Sequence, residues 1–339
     1  MMFKVNGKHC KTIEEVALVA TPEFCGFLEE WYSGSDYVTA FTSGSTGAPK
    51  EIKLLKSDME ASAGVTNRFF NINESSKLLL CLSPGYIAGK MMIVRWLLSG
   101  SEIIVHKPSS NPLSGLDAQI DFAAMVPSQV INILDDNVIA GRLSSVKDLI
   151  IGGAPLDTVT EGRLRDITTR CYATYGMTET LSHVALRRIN SDEEYFAVGD
   201  ISFGLDDRGC LVIDTPHLSV KRIVTNDIVK LSDSRHFLWL GRYDNVINSG
   251  GIKIFPEETE KILRPYVSER FYIVGKPDKI WGEKCVLVIE GSEWGSDKIT
   301  AIKTVFNKEL HHHKAPKDIY FMERFEETSS GKVIRILPE

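Results

Sequence analysis

Five short apolar segments constrain the fold more than any other feature, and most are separated from the next by a stretch with helical spacing. They are residues 77–82, 102–106, 122–126, 146–151 and 171–174. Strands that are apolar along their whole length are buried on both faces, and helical crossovers make neighbouring strands parallel. We therefore predict an α/β fold whose large N-terminal domain has a mainly parallel sheet flanked by helices.

The helical segments have recognisable ends. Ser57 and Glu60 stand three residues apart, which predicts a capping box at the start of a helix that runs to about Phe70. A second helix, residues 87–98, is predicted to stop at Gly100. In sheets of this kind, ligands bind beyond the carboxyl ends of the strands. The segments that follow the predicted strands are therefore the first candidates for function.

The pattern changes beyond residue 183. Residues 183–240 contain strand patterns joined by turns, with little helix, which predicts a small antiparallel layer attached to the first sheet. A hairpin, two helices and further strands then fit a smaller α+β domain of ordinary size. We divide the chain into an N-terminal domain, 1–243, and a mobile C-terminal domain, 244–339, with a hinge near Asp244.

A loop rich in glycine and hydroxyl groups, residues 42–50, follows a predicted strand at 37–41. Gly44 and Gly47 let backbone N–H groups converge on one point, and Lys50 adds a positive charge. The hydroxyl groups belong to Thr42, Ser43, Ser45 and Thr46. A polar surface turn is the alternative, but this density of donors favours a phosphate-binding loop. We expect this loop and the segments after the strands at 146–151 and 171–174 to converge on one crevice.

Composition excludes several classes of function. The net charge of −6 over 339 residues argues against a general nucleic-acid binder. Six cysteines without a Cys-x-x-Cys pair predict reduced thiols rather than a disulfide framework or a zinc site. The most apolar predicted helix is too short to span a bilayer. We expect a cytoplasmic protein with no nucleic-acid partner and no membrane insertion, and a homo-oligomer is left open.

Five motifs occur in order along the chain, at residues 42–50, 175–180, 225–227, 241–244 and 330–332. This series resembles that of the AMP-forming adenylating superfamily, which includes acyl- and aryl-CoA synthetases, luciferases and the adenylation domains of peptide synthetases. The resemblance runs from about residue 37 to the end and implies the adenylate-forming fold. Such enzymes join a carboxylic acid to the α-phosphate of ATP with Mg²⁺, release pyrophosphate and pass the acyl group to a thiol, usually that of coenzyme A.

The resemblance implies roles for residues at the phosphates. The β- and γ-phosphates would be held by Ser43, Ser45, Thr46 and Lys50. Thr178 would contact the α-phosphate, and Glu179 would ligate Mg²⁺, a hard cation that prefers oxygen ligands. Lys332 would be inserted by the C-terminal domain during adenylation, and Asp244 would be the hinge for rotation between the two half-reactions.

It also implies a nucleotide pocket. Gly153, Ala154 and Tyr175 resemble the adenine pocket, with Gly176 next to Tyr175 in the same motif. Asp227 would accept hydrogen bonds from the ribose hydroxyls.

Three further residues belong with this pocket. Arg242 would approach the nucleotide. Lys253 stands where the family usually has arginine, which weakens bidentate phosphate contact. Asn226 stands where the family usually has glycine, just before the ribose-binding carboxylate.

Typical members carry a far longer segment before the phosphate loop than the roughly 40 residues found here. We therefore expect a reduced N-terminal region, as in the short o-succinylbenzoate–CoA ligases of menaquinone biosynthesis, which residues 151–156 and 175–180 also resemble. Two alternatives stay open. One is a ligase for another aryl or fatty acid, or an enzyme that loads a carrier protein. The other is a non-catalytic nucleotide-binding homologue.

The predicted helix 87–98 is apolar apart from Lys90 and Arg95. A cation buried in such a helix needs a partner, because an unpaired buried charge is costly. o-Succinylbenzoate has a benzoate carboxylate besides the succinyl carboxylate that is activated, and we hypothesise that Arg95, together with Lys90, receives it. The alternative is that Arg95 pairs with an internal acid or reaches solvent. Tyr86 stands where relatives have a histidine or aromatic residue lining the acyl pocket.

Overall fold

The computed structural model describes residues 2–42, 50–189, 191–327 and 333–338. The strands up to residue 188 are β1 Phe3–Val5, β2 Lys8–Cys10, β3 Tyr37–Thr42, β4 Lys50–Leu55, β5 Lys77–Leu80, β6 Glu102–Val105, β7 Ile120–Met125, β8 Val146–Ile151, β9 Arg170–Gly176 and β10 His183–Arg188. The helices of this part are α1 Ile13–Ala17, α2 Pro22–Trp31, α3 Lys56–Phe70, α4 Ile87–Ser99, α5 Pro127–Asp135, α6 Asn137–Ala140 and α7 Thr158–Arg163.

The later strands are β11 Tyr195–Ala197, β12 Ser202–Leu205, β13 Cys210–Asp214, β14 Arg222–Leu231, β15 His236–Arg242, β16 Ile247–Ser249, β17 Ile252–Ile254, β18 Phe271–Asp278, β19 Gly282–Glu290 and β20 Asp318–Met322. The later helices are α8 Pro256–Leu263 and α9 Ser296–Glu309. Short 3₁₀ helices include Thr178–Thr180, Tyr243–Asn245 and Arg264–Tyr266. Across the described ranges, none of the helices combines the length and the apolar character that a membrane span requires.

Most of the N-terminal part is organised around one sheet of 13 strands within the described residues, in the order β12-β13-β14-β15-β11-β10-β9-β8-β7-β5-β6-β1-β2. Strands β1, β6, β5, β7, β8 and β9 pair in parallel. From β9 to β12 each pairing is antiparallel. The predicted antiparallel layer is therefore a continuation of the parallel sheet through shared backbone hydrogen bonds.

Strand β5 shows why this sheet is covered on both sides. Leu78 and Leu80 pack into one hydrophobic core, whereas Leu79 packs into another on the opposite face. Successive side chains of a strand point to opposite faces, so a continuous apolar run buries both of them. The predicted two-sided burial is thus present in the structure. Helix α4 ends at Gly100, which adopts the left-handed conformation, as the sequence predicts.

The strand predicted at residues 37–41 is β3. It pairs with β4 in a two-stranded antiparallel sheet, with Thr42 opposite Lys50, separate from the large sheet. The predicted capping box is wrong, since α3 starts at Lys56 without a side-chain cap. The carboxylate of Asp58 instead accepts hydrogen bonds from the backbone and side chain of Ser219, far along the chain.

The C-terminal part has its own sheet, in the order β17-β16-β19-β18, with β20 added parallel to β19. Its separate core contains Leu263, Leu287 and Phe306 from α8, β19 and α9. The large sheet ends at Arg242 and the small sheet begins at Ile247. The division that the sequence predicts at residue 244 therefore falls in the connecting 3₁₀ helix.

Candidate active site

The turn after β8 contains the residues expected near the adenine. The N–H of Gly152 donates to the carbonyl of Met125 at 3.1 Å, and a Cβ on Gly152 would clash with the hydroxyl of Thr174. Gly153 has a φ of 92°, which favours glycine. Gly153 and Ala154 are exposed. The turn therefore presents small residues at the carboxyl ends of β8 and β9, where a flat ligand could approach the backbone closely.

The turn after β9 carries Thr178 and Glu179. It begins at Gly176, where a Cβ would clash with the backbone of Ser182. The hydroxyl of Thr180 accepts a 2.9 Å hydrogen bond from the N–H of Met177 and lies 2.7 Å from the carbonyl oxygen of Ser182. This buried hydroxyl braces the turn.

The side chains of Thr178 and Glu179 lie at the tip of the turn. Thr178 is half-buried, and Glu179 is exposed. The Glu179 carboxylate could ligate Mg²⁺. No group of three or more acids, histidines or cysteines among the described residues could hold a metal. A Mg²⁺ ion at Glu179 would therefore take its remaining oxygen ligands from phosphates and water.

Asp227 lies on β14 and is only 8% exposed. Its carboxylate accepts hydrogen bonds from the hydroxyl of Tyr175 at 2.7 Å and from the indole N–H of Trp239 at 3.3 Å. Arg242, its register partner on β15, lies 3.9 Å away. Burial, followed by the nearby Asp227, raises the pKa of Tyr175, so the phenol stays protonated and remains a donor.

These contacts leave lone pairs on both oxygens of Asp227 for further hydrogen bonds, such as those from a diol. The ring of Tyr175 packs edge-on against Phe237, with centroids 5.1 Å apart. The sequence predicts Tyr175, Asp227 and Arg242 as one site, and the structure brings them together. It does not predict Trp239, because the local sequence of β15 does not indicate that this side chain contacts Asp227 on the neighbouring strand β14.

Asp244 is connected to this cluster. Its Oδ2 lies 3.2 Å from Arg242 and 3.5 Å from the side-chain amide of Asn226. Arg208 donates to the amide oxygen of Asn226 at 2.9 Å. Asn226, where the resemblance implies glycine, thus links β14 to the residue expected to be the hinge. The sequence does not indicate that Arg208 contacts this cluster, because Arg208 stands in an ordinary acidic turn.

Several expected residues lie elsewhere or outside the described ranges. Lys253 is exposed on β17 of the small sheet, whereas Asp227 and Arg242 belong to the large sheet. Tyr86 is the N-cap of α4 and is 65% exposed. Among the predicted site residues, those outside the described ranges are Ser43, Gly44, Ser45, Thr46, Gly47 and Lys332.

Lys90 has an internal partner. Its ammonium group lies 3.3 Å from a carboxylate oxygen of Glu30 on α2 and 4.7 Å from the centre of the Phe27 ring. The same Glu30 carboxylate accepts a hydrogen bond from the N–H of Thr39 at the other oxygen. A cation held in this way is already compensated, so Lys90 ties α4 to the N-terminal helices.

Arg95 has no such partner. Its side chain is 2% exposed, and no carboxylate of the described residues forms an ion pair with it. It donates to the hydroxyl of Ser182 at 2.6 Å and lies against Phe122 and the sulfur of Met92, while its Nε has no hydrogen-bond partner. Burial lowers the pKa of Arg95 to about 9. The guanidinium is therefore a buried cation at neutral pH that pairs with no acid in the described ranges and is almost completely shielded from solvent.

Two contacts place this cation close to the turn with Thr178 and Glu179. Ser182, its hydroxyl partner, follows that turn, and the carbonyl of Ser182 contacts the bracing hydroxyl of Thr180. On the other side, the amide of Asn67 donates to the carbonyl of Arg95, and its own oxygen has no partner. Unsatisfied polar atoms in a buried region indicate that a ligand or water completes them.

Two family models match parts of this chain. Residues 29–219 match the family model described as AMP-binding enzyme, and residues 263–332 match the one described as AMP-binding enzyme C-terminal domain. The first model covers the segment with Tyr175 and Glu179, the second covers strands β18, β19 and β20 of the C-terminal sheet, and Asp227 lies between the two matched ranges.

Solved structures show the same fold. An acyl-CoA synthetase (AMP-forming)/AMP-acid ligase II-like protein from Dyadobacter fermentans is 35% identical, with a TM-score of 0.64, over 92% of this chain and 91% of that one. An o-succinylbenzoate CoA synthetase from Bacillus subtilis, solved with an acyl-adenylate intermediate, is 18% identical, with a TM-score of 0.73, over 87% of this chain and 67% of that one. The second likeness shows the fold alone. The predicted fold class is confirmed.

Curated relatives are similar along most of the chain. A 2-succinylbenzoate–CoA ligase from Enterococcus faecalis is 24% identical over 87% of this chain and 67% of its own length. The Escherichia coli protein of the same name is 26% identical over 76% of this chain and 61% of its own length. The chain thus spans about three fifths to two thirds of the length of these relatives.

Proposed function

Since this chain belongs to the AMP-binding enzyme family, we propose that it is an ATP-dependent, AMP-forming acid–CoA ligase. In the first half-reaction, a carboxylate oxygen of the acid attacks the α-phosphorus of ATP, and pyrophosphate leaves. In the second, the thiol of coenzyme A attacks the acyl carbon, and AMP leaves with the bonding electron pair. The thiol proton is lost to solvent.

The nucleotide side of the proposal rests on the cluster around Asp227. Its carboxylate, oriented by Tyr175 and Trp239, can accept hydrogen bonds from both ribose hydroxyls. Arg242 supplies positive charge beside it. We assign the adenine to the turn with Gly153 and Ala154, because both are exposed at the end of β8, the strand next to β9, which carries Tyr175.

The phosphate side rests on the turn after β9. Thr178 would donate to the α-phosphate, and Glu179 would hold Mg²⁺, which neutralises charge on the phosphates when bound. Lys50 and the loop 43–47 would hold the departing pyrophosphate, and Lys332 would approach from residues 244–339 after rotation about Asp244. Lys253 would border the nucleotide in one orientation of that domain. The reaction would take place in the cytoplasm, where ATP and coenzyme A are available.

One observation carries the choice of acid, namely the unpaired buried guanidinium of Arg95. An uncompensated charge in an apolar helix is costly, and a ligand anion would remove that cost. The acid should therefore have a second carboxylate, remote from the one that is activated. We propose o-succinylbenzoate, whose ring carboxylate would pair with Arg95, and the names of the curated relatives support this choice.

A second candidate acid has specific support. A feruloyl-CoA synthase from Amycolatopsis is 27% identical over 87% of this chain. Ferulate has a single carboxylate, which the reaction consumes. An enzyme for such an acid would leave Arg95 without an anion, so the two candidates predict opposite effects of replacing it.

The test measures pyrophosphate release with o-succinylbenzoate, ferulate and medium-chain fatty acids, with and without coenzyme A. We expect release with o-succinylbenzoate and formation of its thioester when coenzyme A is present. Release only with a single-carboxylate acid would reject the proposed substrate. Release with none of the acids would favour a non-catalytic nucleotide-binding homologue, and acyl transfer only to a carrier protein would favour a loading enzyme.

Replacing Arg95 tests the acid-binding role. We expect Arg95→Ala to raise the KM for o-succinylbenzoate by about a hundredfold, since a desolvated charge pair is worth several kcal/mol, and to leave the KM for ATP unchanged. Arg222→Ala is the matched control, because Arg222 is exposed and pairs with Asp214 on the neighbouring strand. An Arg95→Ala protein that only melts at a lower temperature, with the KM for the acid intact, would contradict the assignment.

A further inference from the structure

A line of buried hydrogen bonds leads away from Arg95. The guanidinium donates to the hydroxyl of Ser182 at 2.6 Å, and that hydroxyl lies 3.3 Å from Nδ1 of His183. Nε2 of His183 lies 3.4 Å from the hydroxyl of Thr66, which lies 3.3 Å from the carbonyl oxygen of Ser62. The line connects α4, the start of β10 and α3.

The carbonyl end of this line fixes the direction of its hydrogen bonds. The carbonyl oxygen of Ser62 can only accept, so the hydroxyl of Thr66 donates to it and accepts from Nε2 of His183. In a neutral ring Nδ1 then carries no proton and accepts from the Ser182 hydroxyl, which itself accepts from the guanidinium of Arg95. For a neutral ring, a single arrangement of protons satisfies the whole line.

His183 is neutral in this arrangement. It is 8% exposed, and its burial, followed by the charge of Arg95, lowers its pKa to about 3. A protonated ring would donate from both nitrogens, and the Ser182 hydroxyl would then have no acceptor at Nδ1. The ring is thus an acceptor toward Ser182 at physiological pH.

A neutral partner has a consequence that an acidic one would not have. An aspartate or glutamate in this place would orient the guanidinium but would also neutralise it. The line through Ser182 and His183 orients one nitrogen of Arg95 and leaves the positive charge uncompensated. The unpaired Nε and the charge remain for a ligand.

We propose that His183 is a positioning residue that, through Ser182, orients Arg95 to receive the second carboxylate of the acid substrate. This inference rests on the proposed function, because it assumes that Arg95 binds that carboxylate. It adds that selection of a dicarboxylic acid depends on a residue that does not contact the substrate. Loss of the acceptor at His183 would free the Ser182 hydroxyl to rotate, and the guanidinium would lose its fixed orientation.

The test compares His183→Leu with His183→Asn, two side chains of nearly equal size. The amide oxygen of asparagine can occupy the place of Nδ1 and accept from Ser182, whereas leucine cannot. We expect His183→Leu to raise the KM for o-succinylbenzoate about tenfold, the loss typical of a hydrogen bond to a charged group. His183→Asn should recover most of it, and neither variant should change the KM for ATP.

A second acid separates positioning from a general effect on the fold. 4-Oxo-4-phenylbutanoate has the succinyl carboxylate but lacks the ring carboxylate, so it makes no ion pair with Arg95. We expect its KM to be the same in the original protein and in His183→Leu. Equal increases for both acids, or equal effects of leucine and asparagine, would overturn the proposal.

Ser182→Ala provides a second variant should His183→Leu not fold, because it removes only one oxygen atom. It should raise the KM for o-succinylbenzoate and not that for 4-oxo-4-phenylbutanoate. An equal increase in KM for the two acids, relative to the original protein, would again overturn the inference. Failure of the proposed function gives a different result, since Arg95→Ala would then leave the preference between the two acids unchanged.

Discussion

The side chains of this site owe their properties to burial more than to their identity. Arg95 and His183 lie side by side in an apolar region, one charged and one neutral. The sequence identifies Arg95 as unusual, because its helix is otherwise apolar. It does not identify Ser182 or His183, since Ser182 contacts Arg95, and His183 follows through Ser182, only after β9, β10 and α4 have packed together. Of the two alternatives for Arg95, an internal acid and solvent, the described residues supply neither.

His183 should make folding stability depend on pH. An unfolded histidine takes up a proton near pH 6.5, whereas in the folded protein the pKa is lowered to about 3. Between these values the unfolded state binds more protons, so the contribution of His183 to stability, complete above pH 6.5, is lost as the pH falls. Between pH 7 and pH 5 this loss should be about 2 kcal/mol, at about 1.4 kcal/mol per pH unit.

Urea denaturation of the original protein and of His183→Asn at both pH values measures this effect. Asparagine does not titrate, so the difference in unfolding free energy between the two proteins should shift by about 2 kcal/mol. Carboxylates elsewhere titrate equally in both proteins and cancel in the difference. A constant difference between pH 7 and pH 5 would show that His183 is protonated in the folded state.

Turns at strand ends bring the functional groups together, and the sequence predicts these turns well. Strands β8 and β9 end at Ile151 and Gly176, so the turns lie within segments 151–156 and 175–180, as the apolar patterns predict. The prediction is weaker where pairing is nonlocal. Strand β4 was not predicted, and neither was its pairing with β3, because the choice of partner strand depends on contacts that local periodicity does not contain.

The turn between β9 and β10 should not tolerate a Cβ at its first residue. In Gly176→Ala the methyl group would clash with the backbone of Ser182 and His183, which cannot yield as a flexible side chain could. Because this turn carries Thr178 and Glu179 and leads to Ser182, we expect pyrophosphate release to fall at least tenfold, with an increased KM for both ATP and the acid.

Gly204→Ala is the matched control for this glycine. Gly204 lies on β12 of the same sheet, and an added Cβ would meet no atom within 4 Å. It should keep the original rate of pyrophosphate release. An unchanged KM for both substrates in Gly176→Ala would show that the turn does not position the phosphate-binding residues relative to the acid-binding arginine.

A short connection at Tyr243–Asn245 joins the 13-stranded sheet to the C-terminal sheet along the chain, which suits the rotation that we propose for the C-terminal domain between two half-reactions. The sequence predicts this division because the strand pattern is interrupted there. The resemblance to the adenylating superfamily also implies that the C-terminal domain inserts Lys332 during adenylation. We expect Lys332→Ala to lower pyrophosphate release by at least a hundredfold and to spare thioester formation from supplied acyl-adenylate and coenzyme A.

Single-turnover measurements of each half-reaction test this separation. Lys308→Ala serves as the control, since Lys308 is an exposed lysine of α9 in the same domain. Equal damage to both half-reactions in Lys332→Ala would contradict the assignment. The result would also test the predicted hinge, because a lysine that serves one step must withdraw for the other.

The continuity of the large sheet has a consequence for how the intermediate is held. Asp227 lies on β14, and Ser182, which anchors Arg95, stands at the start of β10, so both belong to one hydrogen-bonded framework. Their separation should therefore stay the same through the rotation that we propose for the C-terminal domain. An acyl-adenylate bound between them would be held at its ribose and at its far carboxylate in both half-reactions. The same fixed distance would then limit the length of the acid in each step, so both half-reactions should discriminate against longer and shorter acids to the same extent.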